Sequence, residues 1–168
     1  NGSFDNCSIA SMELSKTTFG CANLGVNQVT LMGRDQSANR AECSATVTVL
    51  DGIAPVARCK NLTANLGNNG TVTILPISVD NGSTDNCSFT QTLAPNTFSC
   101  SQVGLNTVTL RATDGSGNSA TCSATVTVRD QNGPTALCKN STIFLDAEGR
   151  ATLSVAQINN GSSDACGI

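Results

Sequence analysis

Two residue types carry whatever chemistry this sequence has. Nine cysteines are spread along 168 residues, and the aspartates gather where turns are expected rather than in paired clefts. Sulfur at this density means disulfides in an oxidising compartment or a thiolate metal site. No Cys-x-x-Cys pair occurs, which disfavours zinc and favours staples for a small core. Carboxylate and amide oxygens are hard ligands of the kind Ca²⁺ takes. Histidine is absent, which excludes a histidine-dependent triad and a His-ligated centre within these residues.

The elements that must position these groups are β-strands and turns. Thr, Ser and Asn supply 21, 18 and 18 residues, a third of the chain. Charged residues are 12%, the net charge is −3, and Trp and Tyr are absent beside five Phe. Such a composition reads as all-β with many short strands. No apolar run approaches the roughly 18 residues of a membrane helix, and no signal peptide opens the sequence. Nine scattered Lys and Arg give no basic stripe, so a nucleic-acid partner is not expected. No nucleophile elbow, phosphate loop or paired acids appear, and the expectation is that the chain is not an enzyme.

Internal repetition sets the layout. "NGSFDNCS" at Asn1 returns as "NGSTDNCS" at Asn81 and "NGSSDACG" at Asn160. "AECSATVTVLDGIAP" from Ala41 returns as "ATCSATVTVRDQNGP" from Ala120, and "CKNLTANLGNNG" from Cys59 as "CKNSTIFLDAEG" from Cys138. The cysteines keep step at 7/87/166, 21/100, 43/122 and 59/138, an offset of 79 or 80. Linkers at 50–55 and 129–134 predict one complete module over 51–129. Residues 1–50 then read as the back of a preceding module, and 130–168 as the front of a following one. The sequence is expected to begin and end inside modules, either as part of a longer array or with halves completed by neighbouring molecules.

Within 51–129, alternating runs predict strands at 56–66, 71–79, 88–93, near 97–101, 106–113 and 121–129. About seven short strands at this spacing indicate an immunoglobulin-like sandwich without its buried Trp. The run from Phe98 to Asp130 contains "F-x-C-x-x-x-G-x-N-x-V-T-L-x-A-T-D-x-S-G-N-x-A-T-C-S-A-T-V-T-V-x-D" and resembles the hyalin repeat (HYR) domain. "TDNCS" at Thr84–Ser88 and "AP-x-A-x-C" at Ala54–Cys59 fit the same pattern. The resemblance implies Ig-like modules of extracellular adhesive, matrix or bacterial surface proteins, and binding or scaffolding rather than catalysis.

Ig topology places the turns at 80–86 and 114–119 at one end, beside the incoming linker. Asp51, Asp80, Asp85, Asp114 and Asn118 are therefore expected to converge at a module junction as a Ca²⁺ site, with a weaker copy at Asp130 and Asp164. The competing reading is local turn chemistry. The same topology predicts Cys59–Cys122, Cys87–Cys100 and the copy Cys7–Cys21. Cys43, Cys138 and Cys166 are left to pair outside the sequence.

Eight Asn-x-Ser/Thr triplets occur, among them Asn61, Asn69 and Asn140, as this composition produces without selection. The leading expectation is a structural segment of an extracellular fibre, filament or cell-surface stalk, whose partners are copies of itself or flanking repeats. The alternatives are an adhesin module recognising a glycan or cell-surface protein, and an accessory module of a secreted enzyme.

Overall fold

The computed structural model describes residues 8–167. Cys7, Asp5, Asn1 and Asn6 lie outside the described residues. The described chain is all-β, Ig-like and disulfide-stapled, with nine strands and two single-turn helices. Contacts divide it into two units. The first holds residues up to Val56 with Thr84–Thr90 and Thr113–Ala120; the second holds Ala57–Ser83, Gln91–Ala112 and the residues from Thr121.

In the first unit, β1 (Ile9–Leu14), β2 (Gly25–Asp35) and β3 (Arg40–Val49) form an antiparallel sheet in that order. A 3-10 turn at Cys21–Asn23 precedes β2. The β2–β3 hairpin closes on Asp35, whose carboxylate accepts from the Asn39 backbone N–H at 2.8 Å and from Asn39 Nδ2 at 2.7 Å. Leu31 faces Cys43 and Val29 faces Ala45 across the ladder. Alternation thus places one apolar face on this sheet, yet Val29 is its one fully buried residue.

The second unit is built from β4 (Leu62–Asn65), β5 (Thr71–Thr73), α1 (Pro76–Val79), β7 (Thr97–Ser99) and α2 (Val155–Ile158), with a 3-10 turn at Cys100–Gln102. Strands β6 (Phe89–Ala94), β8 (Gly104–Asp114) and β9 (Ser119–Arg129) contribute residues to both units. The sheet order is β4-β9-β8-β6, with β4 parallel to β9, and β5 pairs with β7 in a second, two-stranded sheet. Period-2 alternation sends Val108, Leu110, Val126 and Val128 into the core, where Phe98 and Val79 close it. A fully buried Phe is worth about 3–5 kcal/mol against Ala.

Two strand expectations fail. Of 56–66 only Leu62–Asn65 forms a strand, with isolated bridges at Val56 and Cys59 before it. The stretch 71–79 is not a single strand: pairing stops at Thr73, and 76–79 is a helical turn. Pro76 explains the break. It has no N–H to give to a ladder, and its fixed φ suits the first residue of a helix. The same turn recurs at α2, where Val155 stands in place of Pro76 and the Ser154 N–H donates to Gln157 Oε1 at 2.8 Å, capping the turn instead.

Candidate metal site and disulfide staples

Three carboxylates meet in the first unit. Oxygens of Asp51, Asp85 and Asp114 lie within 4.8 Å of one another. Each is aimed by its own turn. Asp51 accepts from the Ile53 N–H at 3.0 Å, and Asp85 Oδ2 accepts from the Cys87 N–H at 3.1 Å. Asp114 Oδ1 accepts from the backbone N–H groups of Ser116 and Asn118. Asp85 Oδ1 is buried and has no hydrogen-bond partner. A buried, unpartnered carboxylate oxygen beside two further carboxylates is electrostatically costly unless a cation joins them.

Two amides tie the cluster together. Asn118 Nδ2 donates to Asp114 Oδ2 at 2.8 Å and to the Asp51 carbonyl at 3.0 Å. Asn86 Nδ2 donates to both Asp51 carboxylate oxygens at 3.2 Å. Asp114 is 7% exposed. Burial works against its charged form, but hydrogen bonds from Asn118, Ser116 and Gly117 outweigh it and hold the carboxyl below its ordinary range.

The expected ligand set needs two corrections. Asp80 does not belong to the carboxylate group among the described residues. It turns into its own loop and accepts from the Ser83 hydroxyl and N–H, which lowers its pKa. Asn118 is a positioning residue, because its amide nitrogen rather than its oxygen meets the carboxylates. Asn86 was not in the expected set. Its place beside Asp85 in the "TDNCS" turn was the available signal.

The second unit repeats part of this arrangement. Asp130 and Asp164 lie together near Cys166, within 4.8 Å. Asp130 accepts from the Asn132 N–H at 3.0 Å and Asp164 from the Cys166 N–H at 2.7 Å, the contacts of Asp51 and Asp85 over again. The Cys166 sulfur is in a disulfide and is no thiolate ligand. Two carboxylates remain, and Ala165 stands where Asn86 stood. This group offers a cation fewer carboxylates than the first.

The sulfurs depart most from expectation. Cys59 bonds Cys122, as the topology predicted. Cys87 does not bond Cys100, and Cys21 does not await Cys7. Cys21 bonds Cys87 and Cys100 bonds Cys166, each across 66 positions. Cys166 therefore has its partner inside the described chain. The reason is length. The six residues of β6 at roughly 3.3 Å each carry the chain about 20 Å from the Cys87 turn, and the three of β7 return only about 10 Å. A bridge tolerates only about 4.4–6.8 Å between α-carbons. Cys43 and Cys138 are free and exposed. Asn61, Asn69 and Asn140 are exposed, and Asn61 Oδ1 accepts from the Thr125 N–H at 2.9 Å.

No protein-family model matches this chain, and no curated protein matches it. Among solved structures, it is similar to extracellular cadherin domains 1–4 of protocadherin gamma B7, at 14% identity over 80% of this chain and 46% of that one, TM-score 0.35. The protocadherin gamma B4 extracellular domain gives 18% identity over 83% and 29%, TM-score 0.35. The protocadherin gamma B7 EC3-6 cis-dimer gives 16% identity over 89% and 42%, TM-score 0.32. The chain spans less than half the length of these chains. No helix among the described residues is long and apolar enough to cross a membrane.

Proposed function

We propose that this chain is a segment of an extracellular fibre, filament or cell-surface stalk. In this reading it is built from tandem Ig-like modules of the hyalin-repeat kind, with boundaries near residues 51 and 130. Its work is mechanical. The observation that carries this reading is the pair of staples Cys21–Cys87 and Cys100–Cys166, with their equal separation of 66. Each joins the 3-10 turn of one repeat to the Asp-x-Cys turn of the next. Tension entering at Cys21 crosses to Cys87, follows 13 positions to Cys100, and crosses again to Cys166. The long strands β8 and β9 are bypassed. Cys59–Cys122 adds an internal staple. Bonds of this kind persist in oxidising surroundings, which supports an extracellular location.

Calcium fits the first site. Three converging carboxylates and the unpartnered Asp85 Oδ1 supply hard oxygens, and Asn86 and Asn118 hold them in place. Asp51, Asp85 and Asp114 would hold the ion, which would neutralise their charge and stiffen the linker at Asp51. Electron microscopy of the native material tests the whole reading. Long uniform filaments are expected; discrete compact monomers would overturn it.

A further inference from the structure

Residues 9–49 and 135–167 present two uncovered halves of one fold. Offset by 79, Leu14, Phe19, Leu31, Ala45 and Val47 stand where Leu93, Phe98, Leu110, Ala124 and Val126 stand. The latter five are all buried in the core. The former are exposed or half-buried, and they line an open groove of about 330 Å³ that has Cys43 in its wall. The other half mirrors this. Ile143, Leu145, Leu153 and Ile158 occupy the places of Ala64, Leu66, Ile74 and Val79, which are buried. Leu145 is 70% exposed and Leu153 53%.

The backbone and the sulfurs agree. Strand β4 exists through its parallel pairing with β9, and β5 through its pairing with β7. The corresponding stretches 141–144, 150–152 and 18–20 form no strand, and β3 keeps one edge unpaired. Cys138 and Cys43 are the counterparts of Cys59 and Cys122, the bonded pair, and they are the two free cysteines among the described residues.

We infer that the apolar face of β1-β2-β3 is covered by residues 135–167 of a second copy of this chain, locked by a bond from its Cys138 to Cys43. The inference rests on the tandem-array reading and names the partner that array uses. The occupant is a second copy because this chain itself carries the matching apolar turn, the matching strand sequence and the matching thiol. The contact is heterologous, head to tail, and does not close on itself, so it propagates into a filament. The bond forms by thiol–disulfide exchange with a small-molecule disulfide such as oxidised glutathione. The two thiols give up two protons and two electrons, and the reagent's S–S bond breaks to give two thiols. Docking would also bring Asp35, the counterpart of Asp114, to Asp130 and Asp164.

The test uses the chain as it stands, with its three native disulfides, in a mixture of reduced and oxidised glutathione. Non-reducing electrophoresis is expected to show a ladder, with mass spectrometry of the digest finding Cys43–Cys138 peptides. C43S and C138S are each expected to stay monomeric, and mixed together to give one covalent dimer at least tenfold more abundant than either alone. Four results would overturn the inference. They are free thiols with no ladder, Cys43–Cys43 or Cys138–Cys138 bonds, closure within one chain, and pairing of native Cys138 with a cysteine of flanking sequence. The same digest reads Cys21–Cys87 and Cys100–Cys166. Those staples intact without a ladder defeat this inference alone, whereas their absence defeats the array reading beneath it.

Discussion

Cys21 is bonded to Cys87 with 5.6 Å between their α-carbons, although 66 positions and a repeat boundary separate them in sequence. Cys100 and Cys166 stand in the same relationship at 5.1 Å. Each bond closes a loop that contains one of the segments "LDGIAP" and "RDQNGP", so the shortest covalent path from Cys21 to Cys166 bypasses both and runs through sulfur. In the proposed fibre that path would carry the tension.

Removing one staple tests this directly. C21S would release the 66-residue loop closed on Cys87, at a cost of up to about 4 kcal/mol by loop entropy. Urea denaturation followed by circular dichroism would read it. A change below about 1 kcal/mol would mean that the bond stabilises little.

The two aromatic counterparts Phe98 and Phe19 should respond unequally. F98A removes a ring that is 1% exposed and should cost about 3–5 kcal/mol. F19A acts on a half-buried ring, with Lys16 Nζ lying 5.0 Å from its centroid. It should cost less than half as much in the isolated chain. Equal losses in thermal or urea unfolding would contradict the difference in covering between the two sheets.

Calcium should raise the melting temperature, and EDTA should reverse the rise. At a free ion concentration of 100 times Kd the gain is about 2.7 kcal/mol. D85N should abolish most of the shift, because it neutralises the carboxylate whose Oδ1 has no other partner. D80N should leave it unchanged, because Asp80 stands outside the carboxylate group and its Oδ1 accepts from the Ser83 N–H and hydroxyl. An EDTA-independent melting temperature would remove calcium from the account.

Acid should loosen the turns in a defined direction. Asp114, Asp80 and Asp35 all have pKa values held below the ordinary carboxylate value by hydrogen bonds that favour the charged form. Such groups contribute stability above the unfolded pKa of about 3.9, and that contribution fades as pH falls through the lower folded value. Stability should therefore be flat from neutral pH down to about 5 and decline below about 4. D114N should show a shallower acid decline, measured by thermal melts across pH. An unchanged slope would mean that Asp114 is not held in its charged form by the fold.

Much of this arrangement was legible beforehand, for physical reasons. Period-2 alternation at Val108, Leu110, Val126 and Val128 fixed β8 and β9. Turn chemistry placed Asp51, Asp85 and Asp114 at strand ends that the chain must bring together. Other features are not legible from pattern alone. "TVTILPISV" reads as one strand by its β-branched residues, although Pro76 has no N–H to give to a ladder. The run 56–66 reads as one strand, although only Leu62–Asn65 finds a strand partner, in β9. The sulfurs are expected to pair within a repeat. Strand β8 starts at Gly104, directly after the turn bearing Cys100, and its 11 residues span roughly 36 Å to Asp114. That length alone argues against a bond from Cys100 to a cysteine in the Asp85 turn. The Asp80 side chain depended on Ser83, a choice between two hydrogen-bonding outcomes that spacing does not decide.

The most direct test of the load path is single-molecule extension with handles at the two ends of the chain, before and after reduction. With the staples intact, the stretch from Cys21 to Cys166 should extend to only about 60 Å, the length of the 13 positions between Cys87 and Cys100 plus two bridges. After reduction the same stretch should release to about 500 Å. A contour length that is already near the reduced value under oxidising conditions would contradict the account.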